Sequence, residues 1–145
     1  MRRLRRPLIY VSYVTELHFA RSSMSFEASV ALVLFMLLMA AVSLHGLAAS
    51  GQFPREHRAA ALRSAAGAAI LFGSIAVAAL SLLAGLFFAL QTIPWYAAVI
   101  GGGMPVLFAP LLLRPLPDAF VNGRAALLLF SATAAVTALA MLKLW

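Results

Sequence analysis

Between residues 28 and 142 the chain carries four apolar runs without a single Asp, Glu, Lys or Arg: 28–49, 64–90, 95–113 and 125–142. A helix rises about 1.5 Å per residue, so about 20 apolar residues cross the roughly 30 Å hydrocarbon layer of a bilayer. Inside lipid each backbone N–H and C=O must be bonded within the protein, and a single apolar run does that only as a helix. Composition points the same way. The chain is 64% apolar and 10% charged, whereas a soluble domain carries about 25% charged residues. Too few charges remain to solvate a globular surface. The expected fold is an all-α integral membrane protein, with four transmembrane helices in an antiparallel bundle.

Turn residues separate the runs. Gly51 is placed as a helix stop, and Pro54 as the first residue of a helix that begins at the interface with the segment PREHRAAALR. The link Gln91-Thr92-Ile93-Pro94 is so short that spans two and three should form an antiparallel hairpin. Arg114-Pro115-Leu116-Pro117-Asp118 ends span three, and Asn122-Gly123 leads into span four. Residues 1–23 differ from the rest: a basic tail whose apolar part, 8–14, is too short to span. The tail either lies on the membrane surface or is not made, translation then starting at Met24. Residues 24–145 form the transmembrane domain.

Charge sets the orientation. Lys and Arg near span ends prefer the cytoplasmic side. The loops at 50–63 and 114–124 share one side and carry Arg55, Arg58, Arg63, Arg114 and Arg124. Counting from Met24, Lys143 alone opposes them, while Trp95, Tyr96 and Trp145 gather at the other interface. The arginine loops are therefore expected to face the cytoplasm of a bacterial inner membrane, with Arg55, Arg58 and Arg63 as candidate contacts for anionic lipid head groups. The net charge of +7 is assigned to this topology signal. No basic stretch alternates with stacking aromatics, so nucleic-acid binding is not expected.

Reactive groups are scarce. There is no cysteine, which excludes disulfides, thiolate metal sites and thiol catalysis. The acidic residues Glu16, Glu27, Glu56 and Asp118 all lie in the tail, at a span end or in loops. Of the three histidines, His18, His45 and His57, only His45 sits inside a span, too few for a bis-histidine haem or a zinc site. No cofactor, metal or catalytic residue is expected. His45 is read first as an interfacial residue bonded to a loop carbonyl or water, and otherwise as an intramembrane ligand or proton-handling group.

Small residues point to packing. In span two, Ala65, Ala69, Gly73, Val77, Ser81, Gly85 and Ala89 recur every four positions, as on faces that let a second helix approach closely. Thr133 and Thr137 stand one turn apart in span four. Span three holds Gly101-Gly102-Gly103-Met104-Pro105, with Pro110 beyond. Proline removes a backbone bond and crowds the preceding turn, so this helix is expected to kink there. Gly101, Gly102, Gly103, Pro105 and His45 form the candidate ligand or packing site. The expected function is that of an accessory or scaffold subunit that packs, through helix–helix contacts, against another membrane subunit or itself. The alternative is a small oligomeric transporter or channel subunit using a broken third span.

Overall fold

The computed structural model describes residues 26–53 and 59–143. The expectations for the tail 1–23, Met24, Pro54, Arg55, His57, Arg58 and Trp145 lie outside the described residues. Within them the chain is all-helical: α1 Phe26–Ser50, α2 Ala65–Thr92, α3 Trp95–Leu113, a single turn α4 Asp118–Val121, and α5 Arg124–Lys143. The four long helices are each long and apolar enough to cross a membrane. Their limits fall within two residues of the apolar runs, because loss of apolar character and the arrival of Gly or Pro coincide at those points.

One boundary differs in kind. The segment before α2 is not a continuation of that helix. Ala60–Leu62 form a separate 3-10 turn, and α2 begins afresh after Ser64, whose Oγ accepts from the Gly67 N–H at 3.1 Å. This side-chain cap satisfies one of the amide donors that a helix start leaves without an intrahelical partner.

Packing is centred on α1, which lies against α2, α3 and α5, while α2 also lies against α5. Two buried clusters fill the contacts. One joins Phe35, Leu38, Phe88 and Met141 with the first turn of α3 at Ala97; the other joins Ala48, Leu71, Leu127 and Phe130 to Leu62 in the loop. Helices α2 and α3 barely touch despite their short link. Spans two and three, expected as an antiparallel hairpin, make little contact along their length: α3 leans on α1.

Helix α2 shows why its small-residue stripe does not form one face. Of the seven positions spaced by four, Ala65, Ala69, Gly73 and Val77 are exposed, and only Ser81, Gly85 and Ala89 are buried. The buried positions run Gly67, Leu71, Ser74, Ala78, Ser81, Gly85 and Phe88, alternating steps of four and three. A helix has 3.6 residues per turn, so a spacing of four drifts by about 40° per step, whereas alternation of four and three stays on one seam.

Gly123 is held by its surroundings. A Cβ there would stand 2.9 Å from the Ala119 carbonyl oxygen and 3.2 Å from that of Phe120. Any larger residue must push backbone aside between α4 and α5.

Candidate functional site

The glycine run of α3 divides its duties. A Cβ on Gly101 would meet Leu32 Cδ1 at 2.7 Å and Met36 Cγ at 3.3 Å. One on Gly102 would meet Phe35 Cε1 at 3.1 Å and Met39 Cγ at 3.7 Å. Both glycines are buried and take α1 side chains directly onto the α3 backbone. Gly103 differs, because a Cβ there meets nothing within 4 Å. Pro105 is buried on the same side as Gly101, and Ala97, Gly101, Pro105 and Ala109 make a short face spaced by four. Helix α3 is assigned as helix from Trp95 to Leu113, through both Pro105 and Pro110. No turn of α3 is unwound, although Pro105 and Pro110, lacking an N–H, leave the Gly101 and Val106 carbonyls without their usual helical donors.

His45 belongs to a different contact. Its Nε2 lies 3.0 Å from Ser74 Oγ of α2, and both residues are buried. Ser74 Oγ also lies 2.9 Å from the Leu71 carbonyl; with the hydroxyl proton on that carbonyl the ring donates Nε2–H to Oγ, and in the other tautomer the hydroxyl donates to Nε2. The partner is thus a helix hydroxyl rather than the loop carbonyl or water expected for an interfacial histidine. Gly101 and Gly102 contact α1 between Leu32 and Met39, more than a turn from His45 and towards another neighbour. The structure does not bring His45 together with Gly101, Gly102, Gly103 and Pro105. Interhelical hydrogen bonds in membranes are worth about 0.6 kcal/mol on average and up to about 1.7. A double-mutant cycle with His45→Ala and Ser74→Ala is expected to return a coupling of about 1 kcal/mol in a detergent unfolding titration; strict additivity would show that the bond contributes nothing.

The loops 51–64 and 114–124 meet at one end. Gln52, 1% exposed, accepts from the Ala59 N–H at 3.0 Å, and its Nε2 reaches the Asn122 carbonyl at 3.5 Å. Arg124 Nη2 donates to Ser64 Oγ at 3.3 Å, so one hydroxyl both caps α2 and receives the first residue of α5. Arg63 and Arg114 are exposed at this end, and Arg55 and Arg58 lie outside the described residues. Nothing in the sequence singles out Gln52: a lone amide in a loop becomes a buried tie only once two distant loops converge.

Because α2 and α3 diverge, an apolar groove of about 430 Å³ opens between them. Phe35 and Met39 of α1 form its floor, Leu82 and Leu86 one wall, and Val99 and Gly103 the other. Periodicity does not reveal it, because it depends on two consecutive helices failing to pair.

Four helices fit to cross a membrane, with Leu80, Val99 and Leu107 turned outward at 67%, 66% and 76% exposure, define an integral membrane protein whose surroundings are lipid. Comparison with protein-family models, with curated proteins and with solved structures finds no match to this chain.

Proposed function

We propose that the protein is a non-enzymatic accessory subunit of the bacterial inner membrane, acting as a packing partner for a transmembrane helix of another membrane protein. Its four spans alternate in direction, with the arginine loops 50–63 and 114–124 in the cytoplasm and α3 bent about its Gly/Pro segment. The observation that carries this reading is the groove between α2 and α3 with Gly103 open on its wall. Without a hydrophobic driving force between helices in lipid, association depends on close van der Waals approach, and small residues permit it. Gly101 and Gly102 are already used by α1, whereas Gly103 is free to receive a side chain from outside. Helix α3 is also the least covered span, with 17% of its apolar window buried against 44% for α5.

The alternative, a small oligomeric transporter or channel subunit, rests on a break in the third span. Pro105 and Pro110 leave the Gly101 and Val106 carbonyls without their usual helical donors, but α3 stays helical through both and contains no carboxylate.

Gly103→Trp is the informative variant. Its Cβ meets nothing within 4 Å and its ring lies in the groove against Phe35, Met39 and the two walls, so insertion is expected to be retained and thermal stability to be no lower than wild type. Native mass spectrometry from the protein's own membrane should show a complex with a second membrane polypeptide, and Gly103→Trp should lose it. Gly73→Trp, at an exposed position of α2 where a Cβ also meets nothing within 4 Å, should keep it. A wild-type chain that is monomeric in mild detergent, or a Gly103→Trp protein that retains the complex, overturns the proposal.

A further inference from the structure

At the end of the bundle away from the arginine loops, the first turns of α1 and the last turns of α2 surround a second cavity of about 480 Å³. It shares no residue with the α2–α3 groove. Its apolar lining includes Val30, Ala31 and Phe88, of which Ala31 and Phe88 are buried at 2% and 4% exposure. Its polar lining is Glu27, Gln91 and Thr92. Small-molecule sites commonly have this make-up, an apolar wall with a few polar groups in a volume of about 300–1,000 Å³.

Thr92 is the anomaly that points to a ligand. Hydroxyls elsewhere on the long helices return their proton to a carbonyl three or four residues earlier: Ser43, Ser74 and Ser81 do so, as do Ser131, Thr133 and Thr137. Thr92 Oγ1 does not. That oxygen is buried, within a half-buried residue flanked by exposed Glu27 and Gln91, and among the described residues it has no hydrogen-bond partner. An unpaired buried hydroxyl carries a desolvation cost of about 1–3 kcal/mol, and a native structure that keeps one requires a reason.

The surrounding chemistry selects the partner. Glu27 is the carboxylate of this cavity, and the other described acidic residue, Asp118, begins α4 at the opposite end. An anion is repelled by Glu27. A neutral alcohol satisfies Thr92 but gains nothing from the exposed Glu27 carboxylate at the cavity mouth. A primary ammonium has three donors and no acceptor, matching the Glu27 carboxylate, Thr92 Oγ1 and the Gln91 carbonyl. A hydrocarbon tail on that ammonium lies against Val30, Ala31 and Phe88. We propose that the cavity formed by Glu27, Gln91 and Thr92 binds a protonated primary amine bearing an apolar tail. The amine is supplied either by a free amphipathic molecule or by the ethanolamine head group of a lipid.

The test uses the full chain in phosphatidylcholine nanodiscs, titrated with octylammonium chloride against empty discs to subtract partitioning. Saturable binding of one probe per protein is expected. Glu27→Gln removes a charge-assisted hydrogen bond and should weaken it at least about tenfold. Thr92→Val should weaken it by roughly threefold or more, in line with loss of a neutral hydrogen bond. Octanol should not compete, and Gly103→Trp should leave the isotherm unchanged, which separates this site from the groove. The circular dichroism melt of Glu27→Gln should match wild type, and that of Thr92→Val should be no lower, since it removes an unpaired buried hydroxyl. In discs containing phosphatidylethanolamine, a weakened octylammonium isotherm and a retained lipid adduct that Glu27→Gln loses assign the amine to the head group. An unaltered isotherm assigns it to a free amine. Heats equal to those of empty discs, equal affinity in Glu27→Gln, or full competition by octanol overturns the proposal.

Discussion

Gly85→Leu is expected to yield no stably folded protein. A Cβ at position 85 falls on Leu38 Cδ2 and lies 3.8 Å from Met141 Sδ, so the position is where α1, α2 and α5 come together. Leu38 and Met141 are both 0% exposed, so each is enclosed by protein on every side. Adding carbon to a well-packed core costs roughly 1–3 kcal/mol and occasionally more, and a leucine here adds four carbons to a site with room for none. Alanine should already lower stability within that range. The measurement is unfolding in sodium dodecyl sulfate followed by circular dichroism, with monodispersity on a sizing column. Gly73→Leu, on the exposed side of the same helix, should behave as wild type. A Gly85→Leu protein that is monodisperse and unfolds at the wild-type midpoint would refute the packing described here.

Gly101→Leu should separate α3 from α1 and leave the other helices assembled. The new Cβ lies 2.7 Å from Leu32 Cδ1, and Met36 Cγ closes the other side at 3.3 Å. Helix α3 has little contact with α2, so its register rests mainly on this face. The chain contains no cysteine, which makes site-directed spin labelling straightforward. Labels at exposed Val33 of α1 and Leu107 of α3 should show a distance distribution that broadens in Gly101→Leu. The distribution between Val33 and exposed Leu139 of α5 should keep its width. If both pairs broaden together, α3 is integral to the core and the division drawn above is wrong.

The sequence disclosed the spans because each is an uninterrupted apolar run closed by Gly, Pro or charge, and the helices end within two residues of them. What it did not disclose concerns faces and partners. The four-spaced stripe on α2 was misleading because small residues are abundant and a spacing of four drifts around the helix. Gly101, Gly102 and Gly103 look equivalent as letters, and only the placement of α1 distinguishes two seated glycines from one open one. His45 was identifiable as an intramembrane polar group, but its bond to Ser74 spans 29 residues and follows from the register of α1 on α2. Thr92 gave no signal at all. A threonine at a helix end usually bonds backwards, and its failure to do so is a property of coordinates.

The arrangement around α1 also bears on the order in which the protein can be made. Its central body consists of the first, second and last spans, while the third stands to one side. Synthesis proceeds from the N-terminus, so α1 and α2 enter the membrane with the surface meant for α5 still uncovered, and α3 follows before that surface can be closed. Phe35, Leu38 and Phe88 therefore wait beside lipid or an insertion factor until Ala134, Ala138 and Met141 emerge. Ribosome-bound chains stopped before residue 124 are in this sense unfinished folds rather than shorter ones. The interval between the emergence of the second and final spans is when this part of the core lacks its last partner.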